Sequence, residues 1–312
     1  MLAAFDALLP VLLVIAVGAV LRSRALLTPD QWIGFEKIAY YVLFPAIIIH
    51  TLSTTDFGSV PAFPLGLTLF LAILTMAVIV LALHRLIVGP LGLTDAAFTS
   101  VFQGSMRWNT PVGIAMAGAL YGRPGVALIA VAIIAMIPTL NVLCVGALVR
   151  YGNAERLPFK AIVLDLIRNP FIWSCAVGIA INLSGLTPPK QVLGALELMG
   201  RSALAAGLLA VGAGLRLSTL ARPKPAHLLS SALRLTGMPL LAAGFGAIFG
   251  LEPMALGVAI VAMSVPTSTG AYLLARQMGG DHELMAEIIT LQSIVAIVTM
   301  PVAIAVLAPT SL

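Results

Sequence analysis

The residues with the most chemistry to offer lie inside apolar runs, where polar groups are expensive. Residues 105–113 read Ser105-Met106-Arg107-Trp108-Asn109-Thr110-Pro111-Val112-Gly113, and residues 264–270 read Ser264-Val265-Pro266-Thr267-Ser268-Thr269-Gly270. Proline lacks the amide hydrogen a helix needs and disfavours helical geometry in the residue before it, so each stretch predicts an interrupted helix. Away from water, the freed carbonyls need protein, enclosed water or a ligand as partners. Arg107 adds a cation, which is costly there unless it faces a cavity or a partner. Asn109, Thr110, Ser264, Thr267, Ser268 and Thr269 add uncharged donors and acceptors. A proline alone reads equally well as a packing kink, but an arginine beside Asn-Thr-Pro tips the reading towards a binding site. Half-helix N-termini present amides and positive dipole ends, so together with Arg107 the natural guest is a small carboxylate. Asn141, near Pro138, and Gln103, Gln292 and Ser293 are further polar residues in apolar runs. They line such a site or bridge helices, bridging being the commoner use.

The elements that carry these residues follow from composition. Of 312 residues, 60% are hydrophobic and 9% charged, against about 25% charged in an ordinary soluble domain. So short a chain cannot hide that much apolar surface in one soluble core. At about 20 apolar residues per crossing, the chain has room for on the order of ten membrane helices. The apolar runs predict spans at 3–21, 33–51, 64–83, 96–120, 125–149, 169–184, 192–215, 228–249, 254–275 and 285–307. The fold class is an all-α polytopic membrane protein. The first run carries Asp6 and no basic head, so it reads as a retained helix rather than a signal peptide.

Basic residues orient these spans. With the N-terminus outside, Arg22, Arg24, Arg85, Arg150, Arg156, Lys160, Arg216, Arg222, Lys224 and Arg276 fall in cytoplasmic loops, while Arg123 and Lys190 fall outside. That bias predicts both termini on the outer, periplasmic side of a bacterial inner membrane. It also explains the formal charge of +5 without invoking nucleic acid.

An internal repeat is visible. Pro10, Ala16, Val17, Gly18, Leu26, Pro29 and Gln31 recur 160 residues later as Pro170, Ala176, Val177, Gly178, Leu186, Pro189 and Gln191. Pro111 and Pro266, and Pro138 and Pro301, keep the same order. The chain therefore divides into repeats 1–160 and 161–312. Five spans per repeat is an odd number, so the second copy enters the membrane from the opposite side, which is the plan of secondary transporters.

Enzyme chemistry finds no support. Asp281-His282-Glu283 lacks the second histidine of a zinc protease motif, and there is no G-x-S-x-G elbow or P-loop. Gly279-Gly280-Asp281 has no mid-span aspartate to share a proton with. Cys144 and Cys175 lie in apolar runs and read as small buried hydrophobes. His50, His84, His227 and His282 are scattered, and none is assigned a metal.

The chain resembles the auxin efflux carrier family, the bacterial relatives of plant PIN proteins. The likeness is carried by Arg107 to Gly113 running to Leu120-Tyr121-Gly122, Pro138-Thr139-Leu140-Asn141-Val142-Leu143, Asn169-Pro170-Phe171 running to Gly178 and Asn182, and Val265-Pro266-Thr267 leading to Ala271-Tyr272-Leu273-Leu274-Ala275. The resemblance implies ten helices in two inverted repeats, with spans 4 and 9 broken and crossing at the prolines. Spans 1, 2, 6 and 7 would form a scaffold that can homodimerise, and spans 3–5 and 8–10 an elevator-type transport unit. It implies an organic anion as partner, such as malonate or an auxin-like acid. Asn109 and Pro111 match the first crossover and Pro266 the second. Thr267, Ser268 and Thr269 stand where PIN proteins carry an asparagine, which weakens the expectation of auxin itself. The fold is shared with the bile acid/sodium symporters, the transport alternative, which would want carboxylates near the crossover; none lies in spans 4 or 9. A ligand receptor that moves nothing is the other alternative. No cofactor is implied, and coupling is open between protons, sodium and the membrane potential.

Overall fold

The computed structural model describes residues 2–56, 60–152, 164, 167–214 and 224–308. Arg156, Lys160, Arg216 and Arg222, four of the loop cations used for orientation, lie outside the described residues. Every regular element among the described residues is a helix. Apart from the five-residue helix His84–Val88, these are in chain order α1 (Leu2–Ser23), α2 (Pro29–Ser53), α3 (Ala62–Ala82), α4 (Asp95–Met106), α5 (Thr110–Tyr151), α6 (Pro170–Leu183), α7 (Lys190–Gly214), α8 (Pro225–Ile248), α9 (Pro253–Ser264), α10 (Gly270–Gln277) and α11 (His282–Leu307). Six helical stretches among the described residues are long and apolar enough to cross a membrane: α2, α3, Asp95–Tyr151, α7, α8 and α11. The chain is a polytopic helical membrane protein.

Local sequence explains where the helices start and bend. Thr28 and Gln31 form a reciprocal capping box ahead of α2, with Pro29 in the first helical turn, so this helix starts four residues before the apolar run does. Inside α2 and α8, five-residue π turns at Ala39–Leu43 and Leu233–Gly237 run into Pro45 and Pro239, where the missing amide already removes a helical bond. The 42-residue α5 is two helices joined at Gly122, whose φ of 60° and ψ of −146° suit glycine alone. The chain folds back there. A β-carbon on Gly118 would touch Val126, eight residues on, at 3.4 Å. A straight helix would hold such residues about 12 Å apart.

The helices pack in two groups. α1 lies along α7, and α2 packs on α6 and α7. Gly18 sits against the backbone of Leu209 and Gly212 against that of Ile15, so the absent side chains let α1 and α7 meet backbone to backbone. In the second group α3, α4, α5, α8, α9 and α11 surround each other, and α5 and α11 supply the main contacts to the first. The deepest packing is in the second group, where all of α4 from Ala97 to Met106 and all of α9 from Gly257 to Ser264 are buried.

Candidate functional site

Both polar stretches interrupt a helix. α4 stops at Met106 and Arg107 turns extended (φ −62°, ψ 145°) before α5 begins at Thr110. α9 stops at Ser264 and Val265 turns extended in the same way (φ −65°, ψ 147°) before α10 begins at Gly270. Val265 precedes Pro266, and its geometry is the one a proline imposes. The first break differs from the expectation that the helix opens at Thr110. It opens at Arg107–Asn109, and Thr110 and Pro111 are already in the first turn of α5. The reason is that a helix start leaves its first amides unpaired, so proline's missing hydrogen is harmless there. Asn109 caps this helix, its Oδ1 accepting from Val112 N at 3.3 Å.

The two breaks are joined to each other. Asn109 N donates to Pro266 O at 2.9 Å. Thr267 Oγ1 donates to Gly104 O (2.9 Å) and Arg107 O (3.1 Å), and Gln292 of α11 bridges Thr267 N (3.0 Å) and Gly104 O (2.8 Å). Arg234 of α8, fully buried, donates from Nε to Val265 O (2.8 Å), from Nη1 to Met106 O (3.1 Å) and from Nη2 to Ala262 O (3.1 Å). The accounting has a pattern. Pro111 cannot serve the carbonyl of Arg107 four residues back, and Pro266 cannot serve that of Ala262. Thr267 serves the first and Arg234 the second.

With these six carbonyls taken by protein donors, a cation and a helix start lie close by. Arg107 is half-buried; its Nη2 donates to Asn141 Oδ1 at 2.8 Å, and its Nε is buried without a hydrogen bond among the described residues. α10 starts beside it, since a β-carbon on Gly270 would lie 3.9 Å from Arg107 Nη1 and 3.4 Å from Ser268 Oγ. Ser268 is half-buried and Thr269 exposed. A guanidinium, the amide end of a short helix, a hydroxyl and a carboxamide thus meet at one edge of the paired breaks. That combination favours an anion.

The other sequence-predicted residues sit deeper. Ser264 is buried and its hydroxyl turns back to Ile260 O; Thr110 and Thr267 are buried, and Pro266 lines a cavity of about 30 Å³ with Ile15, Val211, Ser293 and Met300. That volume is the share of a single water. A second cavity, of about 500 Å³, lies where the ends of α2 and α9 meet the α5 hairpin, lined by Thr51, Thr54, Thr55, Asp56, Arg123 and Glu252.

Sequence reasoning passed over Arg234, the most connected side chain at the breaks. Its only signal was a charge inside the run 228–249. Two of the family-like motif residues turn out to be structural: Asn169 caps α6 through Phe171 N (2.9 Å), and Asn182 closes the end of α2 by donating to Leu52 O (3.1 Å) and Thr55 O (2.8 Å).

Comparison with known proteins agrees with this architecture. The family model described as membrane transport protein matches residues 155–304. An uncharacterized transporter of Methanothermobacter thermautotrophicus (strain ATCC 29096 / DSM 1053 / JCM 10044 / NBRC 100330 / Delta H) is 22% identical over 313 aligned residues, covering 95% of this chain and 96% of that protein. The resemblance read from the motifs therefore holds, and the chain is a multi-pass membrane protein whose second half matches the membrane transport protein family.

Proposed function

We propose that this protein is a secondary carrier of a small organic anion, a carboxylate such as malonate or an auxin-like acid. The anion would bind at the edge of the paired breaks. One observation carries the reading: six carbonyls at the breaks, those of Gly104, Met106, Arg107, Ala262, Val265 and Pro266, are taken by Thr267, Gln292, Asn109 and Arg234, while Arg107 and the start of α10 face the same small region. A site for a cation would leave the oxygens open instead. Arg107 would take the carboxylate as a charge-assisted pair, with Ser268, Thr269 and Asn141 as hydrogen-bond partners.

Alternating access would come from movement of the α3–α5 and α8–α11 group against α1, α2, α6 and α7, elevator fashion. The small cavity between the groups, lined by Ile15 and Val211 on one side and Pro266 and Met300 on the other, supports this as a seam along which they could separate. The inverted repeats, the homodimer and the periplasmic termini belong to the same proposal. Uptake of a labelled dicarboxylate by proteoliposomes tests it. Counterflow of a carboxylate that also raises the thermal stability of the pure protein supports a carrier. Binding without flux would make the protein a receptor.

A further inference from the structure

Arg234 is a cation without an anion. It is fully buried, and among the described residues its partners are three backbone carbonyls rather than a carboxylate. An arginine buried in this way is costly unless its surroundings supply negative potential. They do so here. Met106 ends α4, and Ala262 lies in the last turn of α9 with Val265 as its cap, so the guanidinium sits at the negative ends of two helices at once. The two helix ends lie more than 150 residues apart in sequence and come from different breaks. Opposed negative ends repel, and each brings carbonyls that its own proline or extended cap leaves unpaired.

We propose that Arg234 is the positioning cation of the paired breaks: its planar fork occupies an oxygen-lined cage formed by Ala262, Val265 and Met106 and holds the two helix ends in register. Through Met106, next in sequence to Arg107, it sets where the Arg107 guanidinium stands relative to α10. The fork matters to the role, because three separate nitrogens in one plane reach three carbonyls that a compact ammonium, with its donors on one nitrogen, would meet in a different geometry. The role in fixing the breaks is independent of what is carried. Only the effect on Arg107 rests on the anion-carrier reading.

The test uses the full-length protein purified in detergent, with Arg234→Ala and Arg234→Lys. Arg234→Ala empties the cage, and its melting temperature should fall by on the order of 10 °C. Millimolar methylguanidinium chloride should recover at least a third of that loss saturably, while sodium chloride at equal ionic strength should not, and the parent should respond to neither. Arg234→Lys keeps the charge without the fork. Its amide hydrogen exchange should rise about tenfold or more in peptides covering both 104–110 and 262–270, with the rest of α8 unchanged. Should Arg234→Ala fail to fold, the exchange pattern of Arg234→Lys decides alone. A parental melting temperature in Arg234→Ala, a loss that methylguanidinium leaves untouched, or exchange that rises evenly along the chain would each overturn the proposal. Absence of anion transport by the parent, with these responses intact, would instead count against the carrier reading.

Discussion

Thr267, from the second break, closes the carbonyl of Arg107 in the first, which Pro111 could not serve even in a continuous helix. The proline has no hydrogen for Arg107 O, and the threonine hydroxyl, from the opposite break, donates to it at 3.1 Å and to Gly104 O at 2.9 Å. One buried hydroxyl thus lies within reach of two acceptors from the opposite break. Removing it should be felt. Thr267→Val leaves Arg107 O without that donor, Gly104 O keeping Gln292, and should destabilise the protein by about 1–3 kcal/mol, whereas Thr267→Ser should stay near the parent. Thermal unfolding of the two variants in the same detergent distinguishes them, and equal melting temperatures would remove Thr267 from the account.

The prolines should not behave alike. Pro111 lies in the first turn of α5, where its missing hydrogen is harmless, so Pro111→Ala should shift stability by no more than about 1 kcal/mol. Pro266 lies in the extended link after α9, accepts from Asn109 N and touches the cavity towards α1 and α7. Pro266→Ala should cut flux at least several-fold in protein that still folds. Equal flux defects in the two would contradict this asymmetry.

Trp108 next to Arg107 offers an internal control. Its indole nitrogen is buried without a hydrogen bond among the described residues, and its ring packs where a side chain on Gly113 would otherwise stand. Trp108→Phe therefore removes an unsatisfied donor along with some packing area, and stability should change by less than about 1.5 kcal/mol. A thermal shift assay with and without a binding carboxylate should show ligand stabilisation preserved. Loss of the ligand response would assign Trp108 a direct contact.

Topology is testable separately. The positive-inside bias proposes both termini outside, so cysteines introduced at Asp6 and Ser311 should react with an impermeant maleimide in intact spheroplasts. Protection of either one would change the number of crossings.

The sequence made the helix breaks legible because prolines, hydroxyls and an arginine are conspicuous among Leu, Ala and Val, and both stretches do interrupt helices. It also placed Arg107 near polar partners, and Asn141 is one of them. What pattern could not reveal is which acceptors are left over once the chain has folded. Ser264 looked available and instead bonds within its own helix; Gln292 read as a helix bridge and does bridge, but to the break itself. Arg234 escaped notice because a single charge in an apolar run says nothing about the two helix ends that surround it. That neighbourhood is a tertiary fact. The position of the first break was legible only to within three residues, since the same proline that can open a helix can also begin one.

In the proposed carrier Arg107 receives the anion at the paired breaks. The most direct test is uptake of a radiolabelled carboxylate, chosen as one that raises the parent's melting temperature, into proteoliposomes carrying parent, Arg107→Ala or Arg107→Lys. The parent should show saturable uptake, and Arg107→Ala a loss of apparent affinity of about 10–100-fold or more, in line with one charge-assisted hydrogen-bond pair. Arg107→Lys should recover part of it, and all three proteins should unfold within a few degrees of each other. Uptake by Arg107→Ala with parental affinity would contradict the account.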